Sequence, residues 1–169
     1  AYLHWTLRTL AYVKAPFWFF THGTGDTVVA PLYTVLAQRG VRFEFFHKVE
    51  SLSLSADGRR VAQIQLRQQA STRSGQPYEP LESGRWPAAP RAGELVEGEA
   101  IAGLPPDELE SYWSDWQAGN TCTLDEGRDF DEVVLAISLG ALPFVCADLI
   151  AADPAWAAMV RHVKTVETQ

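Results

Sequence analysis

Two short segments carry residues in an order that could support nucleotide binding or catalysis. Gly23-Thr24-Gly25 lies between an aromatic run and an apolar helical pattern, where dinucleotide-binding proteins place a phosphate loop. That loop needs a third small residue three positions further on, and this chain has Val28 there. The pattern therefore favours a tight turn before a helix, although the helix N-terminus could still face an anionic group.

A serine follows the most apolar run of the chain. Ser138 lies in the sequence Ala-Ile-Ser-Leu-Gly that begins at Ala136, between a predicted strand and a helix, where some hydrolases hold their nucleophile. Asp148, Asp153 and His162 follow in the order of an acid and a base. Only helical segments follow Ser138, however, and alanine replaces the first glycine of the motif. A plain turn is therefore favoured, and a serine hydrolase is the weaker alternative.

The histidines, cysteines and carboxylates show no spacing typical of a metal site, so we predict no metal. Both cysteines lie in apolar stretches, which indicates buried free thiols and a reducing compartment. The residues in question are His4, His22, His47, His162, Cys122 and Cys146.

Composition excludes several classes of protein. The chain has 169 residues, 47% of them apolar, which excludes intrinsic disorder. Its 14 Lys and Arg stand against 21 Asp and Glu, and the net charge of −7 argues against nucleic acid and anionic membranes as partners. The most apolar window, residues 133–147, is shorter than the roughly 20 residues of a membrane span. No secretory signal is recognised, so we expect a cytoplasmic protein.

Helical periodicity predicts one helix over residues 1–13 and a second that begins at Asp26 or Thr27 and stops at Gly40. Alternation then predicts a strand over Val41–Phe46. The second helix has an apolar stripe that should face a core, formed by Val28, Leu32, Val35 and Leu36.

Two alternating segments predict a β-hairpin around Asp57 and Gly58. A two-residue loop would put Leu54 opposite Val61 and so mix the two faces of the hairpin. A three-residue loop, Ala56–Gly58 with Gly58 in the left-handed conformation, keeps the apolar residues together. The shared buried face should comprise Leu52, Leu54, Ala62 and Ile64.

Residues 71–106 contain six Pro and five Gly without periodicity, which is typical of a functional excursion. A helical spacing of large apolar residues then predicts a helix that Gly119 closes. We therefore expect residues 71–120 to form an ordered insertion. The residues of that helical spacing are Leu109, Tyr112, Trp113 and Trp116.

The last third of the chain completes an α/β pattern. Thr121–Leu124 is a predicted strand, and the apolar run Val133–Ile137 is typical of a strand buried on both faces in a parallel sheet. Two helices are predicted, one from Pro143 to about Ile150 and one that Asp153 caps. The expected fold is α/β, with an antiparallel hairpin and an inserted loop and helix region.

Three stretches resemble one family when they are taken together. They are Gly25–Val49, with the motifs Gly-Asp-Thr, Ala-Pro-Leu-Tyr and Arg-Phe-Glu-Phe-Phe-His-Lys-Val; then Tyr78–Trp113; and then Phe130–Leu142. In this order they resemble the middle segment of FAD-dependent oxidoreductases of the flavin amine oxidase and phytoene desaturase group, in a bacterial subgroup described as NAD(P)- or FAD-binding. The third stretch resembles the strand that returns to the flavin domain.

The resemblance implies a Rossmann-like FAD/NAD(P)-binding fold and, in the intact parent, hydride transfer from a small-molecule substrate to FAD. It implies that the backbone at Val49 contacts the adenine end of the cofactor. It also implies that the turn with Ala136 and Ser138 lies near the same end, although the family often has proline at the position of Ser138. These three are the predicted cofactor-binding residues, and no catalytic residue is predicted.

The resemblance further implies that residues 1–169 are a single fragment of a larger flavoprotein, because the glycine-rich loop and the flavin-contacting segment would flank such a region. We expect this fragment alone to be inactive, to bind no FAD and to contact the remainder of the parent chain. Uncovered apolar faces would also favour self-association. The alternatives are a non-enzymatic binding or structural module and, less favoured, the serine hydrolase.

Overall fold

The computed structural model describes residues 3, 7, 19–105, 108–116 and 118–163, which fall into two compact units. The first unit comprises Ala1–Phe43 and Glu79–Pro90, and the second comprises Glu44–Tyr78 and Arg91–Gln169. Apart from Leu3 and Leu7, the predicted helix over residues 1–13 lies outside the described residues. Within the described ranges, no helix has the length and apolar character needed to cross a membrane.

The predicted helix of the first unit is present, but its start differs from the prediction. A π-helical turn, Gly25–Val29, leads into α1 (Ala30–Gln38), and Gly40 ends the helix with a φ of 88°. Asp26 lies inside the helical turn and is not the N-cap. Its Oδ1 instead accepts a hydrogen bond from the backbone N–H of Trp86 at 2.9 Å. The carboxylate thus fixes a second segment of the same unit against the start of the helix.

An aromatic cluster, rather than the predicted apolar stripe, holds the first unit together. Tyr33 packs against Phe43 at 4.8 Å between ring centroids and against Trp86 at 6.0 Å. Most of the predicted stripe is exposed, Leu32 to 55%, and Ala30 is the one buried residue of α1. The prediction of a core-facing stripe was therefore wrong in the described part of this unit.

A three-stranded antiparallel sheet forms the centre of the second unit. Its strands are β1 (His47–Leu54), β2 (Val61–Gln68) and β3 (Thr121–Asp125), in the spatial order β1-β2-β3. The two strands of the hairpin and the third strand were predicted correctly. The strand predicted over Val41–Phe46 is absent, because Phe46 has a φ of 59° and the regular ladder begins only after it.

Two β-bulges set the register of the hairpin. Gly58 has the predicted left-handed conformation, with a φ of 67°, but a hydrogen bond from the Ser55 N–H to the Arg60 oxygen closes a four-residue loop instead of a three-residue one. Leu54 does pair with Val61, and a bulge at Ala62 then restores Leu52 opposite Ile64. A second bulge follows Val49. The hairpin residues that pack on the core are Val49, Leu52, Val61 and Ile64, so the predicted face was right for Leu52 and Ile64 and wrong for Leu54 and Ala62.

The segment predicted as a helix after the excursion is a series of tight turns. A 3₁₀ turn, Glu108–Glu110, is followed by two serine-centred turns. The hydroxyl oxygens of Ser111 and Ser114 accept hydrogen bonds from the N–H groups of Trp113 and Trp116, two residues on in each case. Such side-chain bonds compete with helical bonding, which explains why the aromatic spacing was misleading.

The excursion itself is ordered through pairing with its own ends. Thr72 bridges Leu95, which is fully buried, and the segment contains a 3₁₀ turn, Ala92–Glu94, and the short helix α2 (Gly98–Ala102). Its central part, Glu79–Pro90, belongs to the first unit.

The apolar run Val133–Ile137 is not a buried strand. Leu135 and Ile137 pack on the core, whereas Val134 is 92% exposed. The backbone of residues 132–137 forms no hydrogen bond to another described residue. One face of the segment therefore contacts this unit, and the backbone lies outside any sheet of the described chain.

Three short helices close the core of the second unit, where two were predicted, because the helix predicted from Pro143 to about Ile150 is divided at Cys146. They are α3 (Leu142–Val145), α4 (Ala147–Ala152) and α5 (Pro154–His162), and Asp153 caps α5 by accepting a hydrogen bond from the Ala155 N–H at 2.7 Å. Helices α3 and α4 pack against β1. The fold is thus mixed α/β, with a three-stranded antiparallel sheet and several helices. The buried centre consists of Leu52, Ala141, Leu142, Val145 and Cys146.

Candidate functional site

A cavity of about 390 Å³ lies in the second unit, beside the start of β1. Three segments form its walls: the first residues of β1, residues 109–116 (called the serine-turn segment below), and the chain that leads into α3. Its volume is in the range of sites that hold small organic molecules. The lining residues are His47, Lys48, Val49, Gln69, Leu109, Glu110, Ser111, Tyr112, Trp113, Ile137, Ser138, Ala141 and Val145.

The sheet geometry directs the main-chain polar groups of Val49 away from β2. Gln69 donates its N–H to the Phe46 oxygen, so hydrogen-bonded pairs along β1 and β2 alternate from that point. Val49 and Leu66 then form a pair without mutual hydrogen bonds, and Leu66 pairs with Cys122 of β3 on its other side. Because β1 is an outer strand of the sheet, the Val49 N–H and C=O point to its open edge. One donor and one acceptor are thus available beside the cavity.

The serine-turn segment forms the aromatic wall of the cavity and is anchored to the sheet. The Gln69 side-chain Nε2 donates to the Leu109 oxygen at 2.9 Å, and the Trp116 indole donates to the Gln69 oxygen at 2.7 Å. Between these anchors, Tyr112 stacks on Phe144 with 5.2 Å between ring centroids and 29° between ring planes. The aromatic wall is therefore held at both ends by hydrogen bonds.

One cation is positioned beside the aromatic wall. The Lys48 Nζ lies 5.0 Å from the centroid of the Tyr112 ring and 3.4 Å from the Ser114 oxygen. Burial raises the pKa of Tyr112, and the nearby Glu50 carboxylate raises this pKa further, so the phenol stays protonated at neutral pH. Glu50 itself is paired with Arg67 at 2.6 Å. The wall therefore presents a neutral phenol and a fixed positive charge.

Ser138 lines the cavity but lacks the surroundings of a hydrolase nucleophile. Its backbone, with a φ of −58° and a ψ of 135°, is relaxed rather than strained. Asp153 caps α5, and the His162 Nδ1 lies 2.7 Å from the Ala158 oxygen. No hydrogen bond in the described chain joins Ser138 to either residue, so the geometry provides no catalytic triad.

Of the three predicted cofactor-binding residues, Val49 and Ser138 line the same cavity, whereas Ala136 is exposed and does not line it. Tyr112, Trp113 and Lys48 were not predicted as site residues. The available signal was the aromatic spacing around Trp113, which was interpreted as one face of a core helix.

The remaining sequence candidates do not form a site among the described residues. The Gly23-Thr24-Gly25 segment leads into the π-helical turn, and Trp86 occupies the space beside Gly25, 3.1 Å from where a Cβ would lie. Cys146 is buried, and burial raises the pKa of its thiol, but Cys122 is exposed, contrary to the prediction. No group of three His, Cys, Asp or Glu residues in the described ranges is arranged to hold a metal ion.

Comparison with protein-family models, with curated proteins and with solved structures found no match to this chain.

Proposed function

We propose that this chain is the middle segment of an FAD-dependent oxidoreductase of the flavin amine oxidase and phytoene desaturase group, and that its cavity receives the adenine end of FAD. The observation that carries the proposal is the cavity beside the open edge of β1. It is lined by Val49 and by Ser138, which lie 89 positions apart in the sequence and were both assigned to the adenine end by the resemblance.

The chemistry of the cavity suits adenine. On one edge of adenine, a ring nitrogen accepts a hydrogen bond and the neighbouring amino group donates one. The two faces of the ring are flat and apolar. The Val49 N–H and C=O offer the matching donor and acceptor without a charge. Ile137, Ala141 and Val145 supply apolar lining, and Tyr112 adds an aromatic ring.

The backbone of residues 132–137 also supports the proposal that this chain is part of a protein with a larger sheet. Its backbone groups have no partner in the described chain, yet Leu135 and Ile137 anchor one face of it to the core. In a Rossmann-like parent, neighbouring parallel strands would pair with this segment on either side. The exposed Ala136 would then face elements outside the 169 residues.

In the intact parent, bound flavin would accept a hydride from a small organic substrate. The contribution of this chain is binding and orientation. Val49 would hold the adenine edge, and the apolar lining would exclude water from it. The residues that grip the pyrophosphate and the flavin ring would come from the rest of the parent chain.

The test is expression of the complete reading frame that encodes this chain. We expect the longer protein to be yellow, with flavin absorbance near one FAD per chain and a glycine-rich loop upstream. A folded longer protein that stays colourless after incubation with FAD would contradict the proposal. If that colourless protein still bound adenosine at Val49, it would be a non-enzymatic binding module instead.

A further inference from the structure

We propose that Trp113 stacks on the face of the planar heterocycle that this cavity binds, so that the serine-turn segment closes the site. The inference rests on the proposed function for the identity of the heterocycle as adenine. Neither the resemblance nor the sequence pattern gives Trp113 such a role.

The exposure of Trp113 is the first reason. It lines the cavity, and 62% of the residue is exposed to solvent. Covering a large apolar side chain at a cavity mouth with a flat apolar surface lowers the free energy, because both surfaces are removed from water. Trp116 differs, since its indole N–H is bonded to the Gln69 oxygen and the ring is half-buried. The two indoles of one segment therefore serve different purposes, one as an anchor and one as a contact surface.

The support around Trp113 is the second reason. The indole makes edge-type contacts with Tyr112 at 5.9 Å and with Phe144 at 6.4 Å, and the Ser111 hydroxyl accepts a hydrogen bond from its backbone N–H at 3.3 Å. These contacts hold the residue beside the cavity before a ligand arrives. A pre-positioned aromatic loses little conformational entropy on binding, which favours stacking.

Binding of adenosine to the 169-residue chain, followed by NMR of the indole N–H groups, tests the inference. Trp113→Phe assigns the Trp113 signal, because that signal disappears from the spectrum. Adenosine is expected to shift the Trp113 signal more than the Trp116 signal, and ribose is expected to shift neither. Trp113→Ala should weaken adenosine binding at least about fivefold, which is typical of removing an aromatic side chain that stacks on a base.

Two further variants separate stacking from general damage. Trp113→Phe keeps an aromatic face and should bind adenosine within about threefold of the unchanged chain. Trp156→Phe, in α5 and outside the cavity lining, should bind it equally well. Circular dichroism verifies that each variant is folded.

The possible results distinguish the two proposals. If adenosine shifts the Val49 amide while Trp113→Ala binds it as tightly as before, stacking is wrong and the adenine assignment survives. If nicotinamide binds in a Trp113-dependent way and adenosine does not, stacking is right and the proposed function is wrong. If neither compound binds at millimolar concentration, the stacking proposal is wrong, and the flavin content of the longer protein alone decides the proposed function.

Discussion

At the scale of single residues, we expect the main-chain groups of Val49 to contribute more to FAD binding than its side chain. Val49→Pro removes the N–H, whereas Val49→Ala leaves both polar groups in place. We expect the proline variant of the longer protein to lose most of its FAD and the alanine variant to retain it. Flavin absorbance after gel filtration measures retention, and unchanged circular dichroism shows that the fold is kept. A folded proline variant that holds FAD as tightly as the unchanged protein would remove Val49 from the site.

Gly58 provides a second prediction at this scale. Its φ of 67° lies in the left-handed region, and open space surrounds the position of a Cβ. Gly58→Ala should therefore lower the free energy of unfolding by about 1 kcal/mol through backbone strain alone. Gly93 is a matched control, since it also has open space around it but no positive φ. Urea denaturation of both variants measures the difference, and equal effects would refute the strain argument.

At the scale of elements, side-chain hydrogen bonds of Ser111 and Ser114 hold the aromatic wall of the cavity in turns, although its aromatic spacing is typical of a helix. Replacing Ser111 and Ser114 together by alanine removes both side-chain bonds to the backbone. We expect the double variant to lose roughly 1–2 kcal/mol of stability, at about 0.5–1 kcal/mol per bond. Its far-ultraviolet dichroism should gain helical signal, because the competing bonds are gone and the aromatic spacing suits a helix. Unchanged stability and dichroism would show that other contacts hold this segment.

The elements also differ in how well the sequence predicts them. The hairpin, β3, α1 and α5 follow from alternation, periodicity and caps, which are local properties of the chain. Phe46 is different, because a left-handed non-glycine residue has no sequence signal, and it moves the start of β1 to His47. Val133–Ile137 reads as a strand by composition, but a ladder depends on a partner that local sequence does not specify. The cavity depends on contacts between distant segments, so only Val49 and Ser138 were predicted for it.

At the scale of the whole molecule, we expect the 169 residues alone to bind FAD no more tightly than they bind adenosine. In the proposed arrangement the described residues would contact only the adenine end, and the Gly23–Gly25 segment leads into a π-helical turn beside Trp86. Isothermal titration with FAD and with adenosine should give an affinity for FAD that is no higher than the affinity for adenosine. Stoichiometric flavin retained through purification of the 169-residue chain would contradict this prediction.

The open backbone of residues 132–137 also turns this segment into a reporter of its neighbours. Amide hydrogens without a hydrogen-bond acceptor exchange rapidly with solvent deuterium, whereas those within a sheet are protected. In the 169-residue chain, we expect peptides that cover this segment to take up deuterium within seconds. In the proposed longer flavoprotein, the same peptides should exchange orders of magnitude more slowly, because neighbouring strands would bind their N–H groups. The exchange rate of one short peptide, measured by mass spectrometry, would thus report whether neighbouring strands pair with this segment.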